Sequence, residues 1–348
     1  MKPMRVCAAA GALVCLTAAG ASAQPAPAAK PGLSAFRKAD GIPQPHYLKA
    51  LALAHQENFW KVPILNVCQR EDSGLSQDII KDPPPTKVTD NLYFVGMGRV
   101  SAWALDTPEG IVVIDTLDNP DEAEQYIAGG LRALGADPAR IKAAIVSHGH
   151  GDHYGGAQYL HDKYGAKVYM TPPDYPFAVQ QAAGKKPNSP TGPVPHVDVM
   201  VKDGDTLTIG GATIRMFLTP GHTPGALSLL IPTAYQGKPI TVVFHGGVTS
   251  SNGLTPALHE AYDKSIDKLI AASAAAHVSG YMGNHGNFDD IAMKVAHIRG
   301  YPNDPNAFLV GEARSLRWLK IAKECNLNNR DVDRVFAARG ETVGADGH

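Results

Sequence analysis

The 348-residue chain lacks a charge excess, a membrane-length hydrophobic run outside its first residues, and abundant cysteine. Its 32 Lys and Arg residues nearly balance its 33 Asp and Glu residues, and the formal net charge is −1. Nucleic-acid surfaces and polybasic membrane patches need a positive excess, so the balance argues against both. A bilayer span needs about 20 apolar residues. We therefore expect a soluble mature protein whose partner is a small-molecule substrate, not a nucleic acid or a membrane.

The N-terminus has the three parts of an export signal. Lys2 and Arg5 precede the apolar run AAAGALVCLTAA, and the small residues Ala-Ser-Ala at 21–23 form a cleavage site. A transmembrane anchor is the alternative, but the run is about 12 residues long, well short of a span. We predict a signal peptide at 1–23, a Pro/Ala linker at 24–32 and one domain at 33–348, in a periplasmic or secreted protein.

Only four cysteines are present, and two of them lie inside the predicted signal peptide. The other two, Cys68 and Cys325, can form a single disulfide in an oxidising compartment. Pairing geometry is not visible in a sequence, and cysteine is also common as a free thiol in cores. One disulfide and two buried thiols therefore remain equal alternatives.

From residue 88 onward, short apolar runs alternate with helical patterns. NLYFVG, GIVVIDT and KAAIVSH predict strands. NPDEAEQYIAGGLRALG predicts a helix with Asn119 as its N-cap, and GGAQYLHDKYG predicts one that ends at Gly165. DTLTIGGATIRMFLTPGHT predicts two strands joined at Gly210 and Gly211. Further helices are predicted at 260–276, 289–299 and 306–325. Two β-rich halves with helices outside predict an α/β fold, an αβ/βα layered sandwich.

The densest group of potential metal ligands is SHGHGDHYGG, residues 147–156. It places His148, His150, Asp152 and His153 directly after an apolar strand, with glycines that permit a tight turn. His148 and His150 are two residues apart and should share one face. The adjacent Asp152 and His153 should point apart. The stretch therefore offers two ligands to each of two metal centres, and zinc prefers such nitrogen and carboxylate donors.

Each centre still lacks a third ligand, and two isolated histidines lie in suitable contexts. His222 stands in TPGHTPG after the run IRMFL, and His285 stands between glycines in GNHGNFDD. Both follow predicted strands, where side chains from several strands can meet over one sheet edge. The other histidines lack this context, and we expect surface or structural roles for them: His46, His55, His161, His196, His259, His277, His297 and His348.

HGHGDH followed by GG, then TPGHTPG, then a late isolated histidine, resembles the metallo-β-lactamase superfamily over about residues 88–285. The resemblance implies a four-layer αβ/βα sandwich with the metal site at the sheet edges. It assigns one zinc ion to His148, His150 and His222, and a second to Asp152, His153 and His285. Asp115, which ends GIVVID, matches an acid that supports the ligating histidines. A simple turn-former after a strand is the alternative.

At VVFHGGVTSS the chain departs from many dinuclear members of this superfamily. Those members place a metal-bridging Asp near this point, and the first two β-lactamase subclasses place a Cys ligand there. This chain has His245 followed by two glycines, which resembles the third subclass. His245 itself could add a ligand or make a hydrogen bond. The residues where that subclass holds a substrate carboxylate are here Thr249, Ser250 and Ser251.

A two-zinc site implies hydrolysis without a nucleophilic serine, and the sequence contains no G-x-S-x-G motif. Zinc lowers the pKa of bound water towards ~7, so the resemblance implies attack of a zinc-bound hydroxide, oriented by Asp152, on a β-lactam amide. Three alternatives stay open. The same site could open lactones, thioesters or other esters. The chain could be a nuclease, against which its balanced charge argues. It could also bind metal without catalysis.

Overall fold

A computed structural model describes residues 44–54, 63–64, 67–68, 82–185, 189–249 and 255–340. The predicted signal peptide and linker lie outside these ranges, as do Ser250 and Ser251. All the described residues belong to one compact unit. No helix within these ranges is long and apolar enough to cross a bilayer.

Two β-sheets form the centre of the part that the structure describes. The first sheet has seven strands: β1 (Thr86–Lys87), β2 (Leu92–Phe94), β3 (Trp103–Thr107), β4 (Gly110–Ile114), β5 (Ile141–Ile145), β6 (Lys167–Met170) and β7 (Val199–Met200). The second has five: β8 (Thr206–Ile209), β9 (Ala212–Leu218), β10 (Leu227–Tyr235), β11 (Lys238–His245) and β12 (Gly280–Gly283). The turn between β8 and β9 uses Gly210 and Gly211 at φ of +54° and +82°, as the sequence predicted.

Strand direction decides which loops meet. In the first sheet the strands pair in sequence order, antiparallel from β1 to β4 and parallel from β4 to β7. Parallel strands bring their carboxyl ends to the same edge. The loops that follow β4, β5 and β6 therefore lie side by side, and β12 is parallel to β11 in the second sheet.

The helices lie outside the two sheets. They are α1 (Pro45–Ala54), α2 (Pro120–Glu122), a π-helical segment (Ala123–Ala128), α3 (Gly129–Ala133), a 3₁₀ turn (Pro138–Arg140), α4 (Gly151–Tyr154), α5 (Ala157–Tyr164), α6 (Asp174–Ala183), α7 (Pro256–Ala275), α8 (Gly286–Asp289), α9 (Ile291–Gly300) and α10 (Glu312–Ala338). The Asn119 side chain accepts a hydrogen bond from the Glu122 N–H and caps α2. Gly165, in the left-handed region, ends α5.

The buried side chains form layers that match the predicted sandwich. One cluster lies between the sheets and joins Trp103 and Leu105 of the first to Met216 and Phe244 of the second. A second cluster covers the other face of the second sheet with residues of α1, α7 and α10. A third packs the segment 123–133 against the first sheet. The order helix, sheet, sheet, helix confirms the αβ/βα four-layer fold.

Cys68 forms a disulfide with Cys325 of α10. The disulfide alternative is therefore correct and the free-thiol alternative is wrong. Both cysteines are buried within the cluster that covers the second sheet. The bridge closes a separation of 257 residues, so it constrains most of the domain.

Candidate metal centre

The candidate ligands come from three segments that meet at one edge of the sandwich. His148, His150, Asp152 and His153 follow β5 and lead into α4. His222 lies in the loop between β9 and β10, and His285 lies between β12 and α8. Residues separated by up to 137 positions in the chain therefore face one another, because the strands that carry them end together.

Three histidines form the first group, which we call the imidazole trio: His148, His150 and His222. The His148 Nε2 and His150 Nδ1 atoms are 3.0 Å apart, and His222 Nε2 lies 3.2 Å and 3.1 Å from them. Ligands of a tetrahedral zinc ion, at about 2.0–2.1 Å from the metal, are about 3.3 Å from one another. Three nitrogens at these separations fit a metal ion with one further coordination position open.

The second group, the Asp–His–His trio, consists of Asp152, His153 and His285. His153 Nε2 and His285 Nε2 are 3.0 Å apart, and Asp152 Oδ2 lies 3.6 Å and 3.7 Å from them. The expectation that Asp152 and His153 point apart is therefore wrong. Both residues belong to the first turn of α4, where neighbours differ by about 100° rather than the 180° of a strand. That smaller angle lets a short and a long side chain converge.

Asp115 connects the two trios. It follows β4 at φ +59°, is fully buried, and accepts the Ser147 N–H on Oδ1 at 2.7 Å. Its Oδ2 atom accepts hydrogen bonds from the Ser147 hydroxyl and from His153 Nδ1, both at 2.8 Å. The Ser147 hydroxyl lies 3.0 Å from His148 Nδ1. Asp115 therefore orients His153 directly and His148 through Ser147, an arrangement that suits ligating imidazoles.

Backbone carbonyls fix two more imidazoles. His222 Nδ1 donates to the Thr249 carbonyl at 2.8 Å, and His285 Nδ1 donates to the Arg99 carbonyl at 3.1 Å. A carbonyl can only accept, so the proton sits on Nδ1 and the Nε2 lone pair faces its trio. Thr249, predicted to contact substrate, thus orients His222 through its backbone. Ser250 and Ser251 lie outside the described residues.

One ligand of each trio has a pKa shifted towards the form that binds metal. Burial, and then the neighbouring imidazoles, hold the pKa of His148 well below its usual range, so that ring is neutral. Burial alone would raise the pKa of Asp152, but the charges of His153 and His285 outweigh it and hold that pKa far below its ordinary value. A neutral imidazole and an ionised carboxylate are the forms that bind metal.

Two residues near the trios were not predicted from the sequence. Ser147 was quoted only as the first residue of the histidine stretch, and its position directly before His148 is the one signal that could have identified it. The Arg99 side chain pairs with Asp118, and its Nη1 lies 3.3 Å from Asp152 Oδ2. Arg99 stands in a loop with no recognisable motif, and only the fold brings it beside the Asp–His–His trio.

His245 belongs to neither trio in the described ranges. It is buried at the end of β11, and its Nδ1 lies 3.2 Å from the Tyr281 hydroxyl. Burial lowers its pKa to about 3. The hydrogen-bond alternative therefore holds for this residue. Also outside both trios are His46, His161, His196, His259, His277 and His297, while His55 and His348 lie beyond the described ranges.

The four-layer fold carries two groups of His and Asp residues that could each hold a metal ion. Residues 95–234 match the model of the Metallo-beta-lactamase superfamily, so the chain contains a domain of that superfamily. It is similar to a probable metallo-hydrolase of Burkholderia pseudomallei, 34% identical over 118 residues, and to a hydroxyacylglutathione hydrolase of Rhodopseudomonas palustris, 30% identical over 155 residues. These alignments cover 32% and 44% of this chain, and only 37% and 50% of the two relatives.

A solved structure is similar in fold to most of this chain. A subclass B3 metallo-beta-lactamase of Bradyrhizobium japonicum superposes with a TM-score of 0.61 at 23% identity. The match covers 76% of this chain and 98% of that one. At this identity the likeness is one of fold alone.

Proposed function

We propose that the protein is a dinuclear zinc hydrolase that opens the β-lactam amide. The observation that carries this proposal is the ligand set: two separate trios, with no residue of the described ranges belonging to both. Many dinuclear superfamily members place a bridging Asp near the end of the strand that is β11 here. A set without that carboxylate resembles the third subclass of metallo-β-lactamases.

The two glycines that follow β11, Gly246 and Gly247, have no room for a side chain. A Cβ on Gly246 would lie 1.8 Å from the Leu227 carbonyl oxygen, and a Cβ on Gly247 would lie 2.8 Å from the Cβ of His222. Real Cβ atoms do not approach neighbours so closely. His222 and the start of β10 therefore lie directly against these two glycines, and any larger residue at either position would displace His222 or β10.

The residues around the trios would act as follows. Two bound zinc ions would supply a water of lowered pKa, near ~7, and an electrophile for the substrate carbonyl. Asp152 stays ionised and can accept a hydrogen bond from the attacking water, which orients it. Arg99, 3.3 Å away, keeps a positive charge beside that carboxylate. Asp115 holds His153 in the tautomer whose Nε2 lone pair faces the trio.

A chromogenic cephalosporin tests the proposal directly. Zinc-loaded protein should open the ring and contain two zinc equivalents by elemental analysis. The double variant His148→Ala, His150→Ala should fall to the zinc-free background, whereas His161→Ala, a histidine outside both trios, should match the natural protein. Intact cephalosporin after incubation with fully loaded protein would reject the β-lactam assignment. Activity that survives the double substitution would reject the mechanism.

Thioester hydrolysis is a second candidate, because a relative is named hydroxyacylglutathione hydrolase. The same trios could serve that reaction, since a zinc-activated water attacks thioester and amide carbonyls alike. A panel of hydroxyacylglutathione, lactones and cephalosporins, compared by kcat/KM on one zinc-loaded preparation, separates the candidates. A ratio above about 100 in favour of one class, nearly 3 kcal/mol of transition-state discrimination, would assign the substrate.

We also propose that the mature protein is periplasmic or secreted. The signal-like N-terminus supports this, and so does the Cys68–Cys325 disulfide, because disulfides persist mainly in oxidising compartments. Intact-mass measurement of protein from fractionated cells should find a chain that begins near Gln24. A chain that keeps Met1 and stays in the cytoplasmic fraction would contradict this proposal.

A further inference from the structure

We infer that Asp174 is a positioning residue that holds together the two loops carrying the imidazole trio. The inference rests on the proposed metal site and assigns a role to a side chain whose hydrogen bonds go to residues beside the three histidines. Asp174 is the first residue of α6 and is fully buried. It follows β6, whose carboxyl end lies beside that of β5, so its carboxyl group reaches under the ligand loops.

Both carboxylate oxygens of Asp174 bind ligand loops. Its Oδ2 accepts a hydrogen bond from the Gly149 N–H at 2.8 Å and another from the Thr223 hydroxyl at 2.6 Å. Its Oδ1 accepts the Gly225 N–H at 2.6 Å. Gly149 lies between two members of the imidazole trio, and Thr223 directly follows the third. One side chain therefore fixes the separation of two loops that are more than 70 residues apart in the chain.

The glycines in these loops are required by the close approach. A Cβ on Gly149 would lie 2.8 Å from the Asp174 carbonyl oxygen, and a Cβ on Gly225 would lie 2.3 Å from the Thr171 hydroxyl. Thr171 also donates to the Gly225 carbonyl at 2.7 Å. Both loops are thus pressed against the start of α6, and a displacement of Asp174 would move them.

The chemistry of the contact favours positioning over simple stabilisation. Burial raises the pKa of Asp174 to about 6, and the groups that oppose this are three neutral donors, not a cation. Burying an ionisable group without a cation is costly. A carboxylate, however, can accept a backbone N–H on each oxygen, whereas an amide offers one accepting end and one donating end. Only an acid at this position can hold both loops.

Asp174→Asn therefore separates the two roles. In either orientation of the amide, one backbone N–H, that of Gly149 or that of Gly225, faces an NH₂ group. The two loops that carry the imidazole trio should then lose their fixed separation. The zinc affinity of that trio should fall about 10- to 100-fold, the usual effect of removing a partner that orients ligands. The Asp–His–His trio depends on Asp115 and on the Arg99 carbonyl, so its affinity should stay within about threefold.

The test is a zinc titration of the full mature chain against a chromophoric chelator, which resolves two binding steps. Asp198→Asn is the matched control: Asp198 also accepts a backbone N–H, from Val168 at 2.8 Å, but belongs to neither trio. Natural protein and Asp198→Asn should bind two equivalents alike. Asp174→Asn should weaken one of them selectively. Thr223→Val, which removes only the hydroxyl donor, should weaken the same step by a smaller factor, and it carries the test if Asp174→Asn does not fold.

Each other outcome overturns the inference. If Asp174→Asn, or Thr223→Val in its place, binds both equivalents as tightly as the natural protein, Asp174 does not position the trio, and the metal site itself stands. If the two steps weaken equally, Asp174 acts on the fold as a whole. If the natural protein binds no zinc, the proposed function fails, and the positioning role fails with it.

Discussion

Asp115→Asn most directly tests how the Asp–His–His trio keeps His153 in the tautomer that can bind metal. The natural carboxylate accepts three hydrogen bonds: two from Ser147 and one from His153 Nδ1. An asparagine can accept the Ser147 N–H and donate to the Ser147 hydroxyl. Its NH₂ group cannot accept from His153 Nδ1, so that ring must move its proton to Nε2. The lone pair that faces the Asp–His–His trio is then lost.

The magnitude follows from these contacts. Two of the three hydrogen bonds can be remade. The free energy of unfolding should therefore fall by about 1–3 kcal/mol, which is the contribution of one buried, charge-assisted hydrogen bond. Zinc affinity at the Asp–His–His trio should fall about 10- to 100-fold, equivalent to about 1.4–2.7 kcal/mol. The imidazole trio should change less, because its link to Asp115 passes through Ser147.

Chelator-competed zinc titration measures both steps, and urea denaturation of the metal-free protein measures stability. Ser147→Ala is the matched control, since it removes the hydroxyl beside His148 but leaves the Asp115 contact with His153. It should weaken the imidazole trio and spare the Asp–His–His trio, the reverse of Asp115→Asn. The reasoning fails if Asp115→Asn retains both affinities within about threefold, or if the two variants weaken the same step.

Three further predictions concern the scaffold. Replacing Cys68 and Cys325 with alanine should lower the free energy of unfolding by about 2–5 kcal/mol, because the bridge restricts a long loop; an unchanged urea midpoint would contradict this. The free energy of unfolding of the metal-free protein should fall as the pH drops from ~6.5 towards ~3. In this range His245, whose pKa burial lowers to about 3, stays neutral in the folded protein but becomes protonated in the unfolded chain. His245→Gln should remove up to about 1.4 kcal/mol per pH unit of that slope, and equal slopes would show that His245 contributes nothing. Gly246→Ala should lower the free energy of unfolding by about 3 kcal/mol, because the added Cβ would meet a backbone oxygen. Gly300→Ala is the control, since its Cβ would meet open space, and it should leave stability unchanged or slightly raise it. Equal melting temperatures for the two variants in thermal denaturation would refute the steric argument.

Local patterns were enough to predict most of the fold, because caps, turns and apolar periodicity act over a few residues. The Asn119 cap, the Gly165 terminus and the Gly210–Gly211 turn all occur where the sequence placed them. The last helix was placed too early. Asn306 accepts the Phe308 N–H in a local turn, and Gly311 adopts φ +84°, so the helix begins only at Glu312.

The middle of the helix at 120–133 was also beyond prediction. The sequence predicts regular α-helix there, but residues 123–128 are π-helical. A π-helical turn adds a residue to the helical repeat and is set by packing, not by propensity. This segment packs on the first sheet, and that contact is not encoded in a short window.

By itself, the sequence determined the types and spacing of the candidate ligands, since three histidines and an aspartate within six residues favour metal wherever they fold. Tertiary structure decided how they group. Asp152 and His153 converge because they begin a helix, and His222 and His285 join because separate strands end at one edge. It alone revealed the contacts of Ser147, Arg99 and Asp174. Those residues carry no motif. Neighbouring strands and loops bring them to the ligand loops, where the buried Ser147 and Asp174 must each find a hydrogen-bond partner.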